Sequence, residues 1–131
     1  MMKLTTGTMR KVAVLYFVAL LLLMWLPLNG VAALNNYVFG LRADHLLHAS
    51  VYLPCIFFLG RLAPLTAWAL WLLSLCIGGV TEGVQYLLPF RGFDVNDLLA
   101  NAIGVSLGAT ALLFLRRKKS LEKTKTNGTI D

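Results

Sequence analysis

Asp97-Leu-Leu-Ala-Asn101-Ala-Ile-Gly104-Val-Ser106-Leu-Gly108-Ala-Thr-Ala-Leu-Leu-Phe-Leu115 carries one charge, at its first residue, and is closed by Arg116-Arg117-Lys118-Lys119. Coiled as a helix rising about 1.5 Å per residue, it reaches about 28 Å, close to the ~30 Å of a bilayer's hydrocarbon layer. A backbone in hydrocarbon has no water to satisfy it, so the helix supplies its own hydrogen bonds. The residues just before are of the opposite kind. Arg91-Gly-Phe-Asp94-Val-Asn96 sets a cation, a carboxylate and an amide beside Asp97. An apolar span with a polar entry decides the fold class, and the rest of the chain follows the same plan.

The 131 residues are 58% hydrophobic and 14% charged, against about a quarter charged in an ordinary soluble chain. Working outward, three more apolar runs are of spanning character: 12–28, 46–59 and 65–88. The first ends at Pro27, Asn29 and Gly30. The second is short and interrupted by Pro54. Gly60-Arg61-Leu62-Ala63-Pro64 reads as a tight turn into the third, where Trp68 and Trp71 suit an interfacial belt. A basic start, an apolar middle and Val31-Ala32-Ala33 resemble a signal peptide, but the length of the run and the three further spans favour a retained helix. The expected fold is all-α: one four-helix transmembrane domain over residues 1–115, then a basic, disordered tail over 116–131. Cys55 and Cys76 lie inside apolar segments without metal-type spacing and read as small hydrophobes.

Charge sets the orientation. All twelve Lys and Arg except Arg42 and Arg91 fall on one side if both termini are cytoplasmic, as the positive-inside rule requires. The net charge of +6 therefore reports topology, and no nucleic-acid partner is expected.

The polar residues of three spans share a depth near the outer face. Asp44, His48 and Tyr52 are spaced i, i+4, i+8; Glu82 and Gln85 i, i+3; Asp94, Asp97 and Asn101 i, i+3, i+7. An ionisable group within a span costs about 2.5–3.5 kcal/mol and turns toward protein or water. The stripes are therefore expected to face one another and form an outward-opening polar pocket. Arg91 would sit over its mouth with Glu82 or Asp94, and His48 would meet a carboxylate. Gly79 and Gly83, and Gly104 and Gly108, have the small-xxx-small spacing that lets helices approach. Each residue also has a plainer reading: Gln85 and Asn101 as interhelical bonds, Tyr52 as packing, Asp94 as a helix cap, Asp97 as a first-turn acid, His45 as a surface side chain.

In Asp44-x-x-x-His48 with Tyr52 and Gly60, Glu82-x-x-Gln85, and Arg91-x-x-Asp94-x-x-Asp97-x-x-x-Asn101-x-x-Gly104, the chain resembles the VanZ-like family of small bacterial membrane proteins. The position after the first Asp is often Lys in that family and is His45 here. The resemblance implies a multi-pass protein of the bacterial inner (cytoplasmic) membrane with its shared residues near the outer face. The namesake member is linked to teicoplanin resistance.

The favoured reading is an envelope-associated binding or resistance-type factor holding a lipid head group, a cell-wall precursor or a glycopeptide antibiotic. An enzyme acting on a lipid-linked substrate is the alternative, with His48 and Glu82 as acid–base candidates and Asp94 and Asp97 as possible cation ligands. No Gly-x-Ser-x-Gly, His-Glu-x-x-His or phosphate-cradling loop supports it. A third reading is a structural subunit of a membrane complex. No cofactor and no metal are expected.

Overall fold

The computed structural model describes residues 6–25, 36–38, 40–89 and 92–127. Their elements are α1 (Thr6–Trp25), β1 (Tyr37–Val38), β2 (Leu41–Arg42), α2 (Ala43–Tyr52), α3 (Cys55–Leu62), α4 (Ala67–Leu87) and α5 (Val95–Asn127). Among the described residues, four stretches are long and apolar enough to cross a membrane: α1, the α2–α3 pair over Ala43–Leu62, α4, and the first thirty residues of α5, Val95–Thr124. The predicted end of the first span, and Val31-Ala32-Ala33, lie outside the described residues.

Proline divides the second span as expected. Pro54 has no N–H for the carbonyl four residues back, which ends α2. Phe57 N donates to the Pro54 carbonyl at 3.0 Å and α3 resumes at once. The loosened stretch borrows a donor from α1, whose Tyr16 hydroxyl donates to the Val51 carbonyl at 2.6 Å. Gly60–Leu62 belong to α3, so the turn predicted there falls later, at 63–66, where Thr66 caps α4 by accepting from Ala69 N at 3.3 Å.

Two features depart from the sequence reading. A small antiparallel hairpin pairs Tyr37 with Arg42 and Val38 with Leu41. Gly40 lies in its turn with φ of 79°, a backbone region costly for residues with a Cβ. Ala43 N donates to the Asn36 carbonyl at 2.9 Å and fixes this hairpin to the start of α2. The helix of the fourth span also does not stop at Arg116–Lys119 but runs to Asn127. Lys, Arg, Glu and Leu are good helix formers, and no Gly or Pro interrupts them before Gly128.

Close packing is concentrated between α2 and α5. A Cβ on Gly104 would collide with the backbone carbonyl of Ala49, and one on Gly108 with that of Leu53. Four residues apart on α5, these glycines meet α2 and the residue that caps its end, and let two backbones touch. On α4 the close contact is Gly78, whose missing Cβ would lie 3.4 Å from Asn101 Cβ and 3.6 Å from Tyr52 Cε1. Gly79 and Gly83, expected to serve that purpose, are exposed with nothing within 4 Å.

The interior combines Leu20, Met24, Tyr52, Cys55 and Val105, and Ile56, Leu59 and Leu70, with buried His48, Ser74, Thr81, Glu82, Gln85, Asp97 and Asn101. The outside carries Leu15, Leu22, Trp68, Val80, Ile103, Leu107 and Phe114. Polar groups inside and large apolar side chains outside suit hydrocarbon surroundings.

Candidate functional site

One turn of α2 separates Asp44 from His48, and one turn of α5 separates Asp97 from Asn101. The glycine contacts below them draw the two helices together, so these short side chains reach across. His48 is fully buried and lies at the centre. Its Nδ1 is 2.9 Å from Asn101 Oδ1 and 3.6 Å from Glu82 Oε1 on α4. Asn101 Nδ2 donates to Glu82 Oε1 at 3.4 Å. An amide oxygen only accepts, so with Asn101 in this orientation the Nδ1–H of His48 is the donor. The opposite ring nitrogen, Nε2, is 4.0 Å from Asp44 Oδ1 and 3.9 Å from Asp97 Oδ2.

A second layer covers this one. His45 Nε2 lies 3.6 Å from Asp97 Oδ1. Arg42, delivered by the hairpin, spans Asp44 Oδ2 at 3.7 Å and Asp94 Oδ2 at 3.6 Å. Side-chain exposure rises from none at His48 to 10% at Asp97, 13% at Asp44 and 32% at Asp94. Exposure therefore rises toward the hairpin end, and the inner part of the cluster, around His48, is closed off from solvent.

Of the residues singled out from the sequence, Asp44, His48, Glu82, Asp97 and Asn101 come together. Asp94 joins at the rim and also caps α5, its Oδ1 accepting from Asn96 N at 2.8 Å. Tyr52 sits one turn deeper, hydrogen-bonded to Thr81, whose own hydroxyl donates to the Gly78 carbonyl at 2.8 Å. Gln85 stays apart from the cluster: its amide donates to the Met24 carbonyl of α1 at 2.5 Å, supplying a partner near that helix's C-terminal end. Arg91 lies outside the described residues. Arg42 is a guanidinium at the rim that the polar stripes did not announce. His45, expected at the surface, has only 20% of its side chain exposed. Its i, i+3 relation to His48 was the signal available for it.

Chemically, the cluster offers imidazole nitrogens and carboxylate oxygens, a set that can relay protons, hold an anion through Arg42 or ligate a cation. Among the described residues, two groups each gather donor atoms within 4.8 Å of one another: Asp44, His48 and Asp97, and His45, Asp94 and Asp97. Comparison with protein-family models, with curated proteins and with solved structures finds no match for the chain.

Proposed function

We propose that the chain is a VanZ-like protein of the bacterial inner membrane, a four-helix bundle with both termini in the cytoplasm. Its polar cluster, at the outer face, binds or alters a cell-envelope component: a lipid head group, a cell-wall precursor or a glycopeptide antibiotic. One observation carries the reading. Asp44, His48, Glu82, Asp97 and Asn101 gather from three spans at one end, with Arg42 and Asp94 at the exposed edge. Ionisable groups inside a span are costly to insert and mark functional sites by default. A guanidinium at the edge suits the planar oxygens of a phosphate or carboxylate. The distribution of Lys and Arg supports the orientation, with Arg61 and the basic end of α5 on the cytoplasmic side.

The test is purification in mild detergent from bacterial membranes, followed by mass spectrometry of what co-purifies. An envelope amphiphile should accompany the wild type and be depleted several-fold in Arg42→Ala combined with Asp94→Asn. Equal recovery from the double variant overturns the reading. The enzyme alternative keeps one favourable observation, that His48 Nε2 faces two carboxylates as an acid–base group would. A change in mass of the amphiphile on incubation decides for it. Failure of Glu82→Gln to accumulate in the membrane, with the edge variants binding normally, would mark the cluster as a structural lock.

A further inference from the structure

We infer that Asp44, His48 and Asp97 form a binding site for one divalent first-row metal ion of the manganese, iron or zinc kind. The argument starts with His48. Its Nδ1–H is committed to Asn101, which leaves the Nε2 lone pair, in a fully buried ring, facing two carboxylates. Among the described residues, neither Nε2 nor the nearby buried Asp44 Oδ1 has a hydrogen-bond partner, and Asp97 Oδ2 faces the same nitrogen. A cation held between this lone pair and the two carboxylate oxygens facing it, Asp44 Oδ1 and Asp97 Oδ2, relieves their mutual repulsion.

The spacing fits. Metal bonds of about 2.0–2.1 Å in tetrahedral geometry place donors about 3.3 Å apart. His48 Nε2 is 4.0 Å from Asp44 Oδ1 and 3.9 Å from Asp97 Oδ2. A shift of a few tenths of an ångström in each side chain closes the set. One imidazole with two carboxylates suits manganese, iron and zinc better than calcium, which prefers oxygen alone.

The surroundings have the form of a metal site's outer layer. The histidine donates its other nitrogen to an amide that is itself hydrogen-bonded to a carboxylate, Glu82, which fixes both ring orientation and tautomer. Charge points the same way. Among the described residues, Arg42 pairs with Asp44 and Asp94 at the edge, while Asp97 faces only histidines, and a divalent ion adds positive charge where these carboxylates meet. Three protein ligands leave a fourth position toward the exposed edge, where a water or a phosphate oxygen would bind.

The inference rests on reading this cluster as the functional site, but metal content and bound amphiphile are measured separately. Metal lost with the amphiphile retained, or the reverse, tells which reading fails. The full chain in detergent is stripped with a chelator and dialysed against Zn2+ alone, then its metal is counted by mass spectrometry. One ion per chain is expected in the wild type and none above background in His48→Ala or Asp44→Asn. Asp44→Asn is isosteric at a partly exposed position, so it keeps the test valid if His48→Ala does not fold. Asn101→Ala should bind about 10- to 100-fold more weakly. Loading with Co2+ should give visible bands of nitrogen and oxygen ligation without a thiolate charge-transfer band. A wild type that takes up no Zn2+, variants that take up as much, or a thiolate band assigning the ion to Cys55 or Cys76 would each overturn the proposal.

Discussion

Asn101 ties two helices to one ring, its oxygen accepting from His48 and its amide reaching Glu82. Replacing it with Ala removes the hydrogen bond to each partner and leaves His48 Nδ1–H poorly satisfied in a buried site, an effect of about 1–3 kcal/mol. Gln85→Leu removes one interhelical bond to the Met24 carbonyl, worth about 0.6 kcal/mol on average within membranes. Unfolding titrations in micelles should rank Asn101→Ala as the more damaging, and the reverse order would show that the cluster is not the better-ordered of the two. At this scale the sequence was informative where side chains repeat every three or four positions on a helix, as Asp44 with His48 and Asp97 with Asn101 do. It was less so where a loop sets direction. Arg42 reaches the rim because of a hairpin turning at Gly40, and no periodic pattern announces such a turn.

At the level of elements, glycines with similar spacing prove unequal. Gly104 and Gly108 touch the α2 backbone, whereas Gly79 and Gly83 touch nothing. Gly104→Ala should therefore force α2 and α5 apart and cost about 1–3 kcal/mol, as overpacking does. Gly79→Ala should be neutral or stabilising by up to about 1 kcal/mol through helix propensity. Thermal denaturation of the two purified variants checks this, and equal losses would contradict the packing described. The small-xxx-small motif alone could not separate the pairs, because the choice depends on which face of α4 turns inward. That face is set by Leu70, Ser74, Gly78, Thr81, Glu82 and Gln85. The break at Pro54 was legible because the lost donor follows from the residue itself. The continuation of α5 past Leu115 was missed by equating the end of an apolar run with the end of a helix.

Across the whole molecule, the four spanning stretches follow directly from the length and continuity of apolar sequence. The proposed orientation follows from Lys and Arg. A periplasm-dependent reporter fused after Lys119 should be inactive, and one inserted at Gly40 active. Activity after Lys119 would reverse the topology and place the cluster at the cytoplasmic face. The arrangement of polar groups inside an apolar exterior was readable only in part, since depth could be counted along each helix but the layering of Arg42, His45 and Asp97 could not.

The contact between α2 and α5 also bears on biogenesis. The ribosome releases α2 well before α5, so Asp44 and His48 enter the membrane without Asp97 and Asn101 to receive them. Their place in the first two turns of the second apolar stretch, beside the hairpin, puts them at its end rather than its middle. The site is thus completed only when the last span docks, and a chain arrested before α5 should expose an unpaired polar edge that membrane quality-control proteases can recognise.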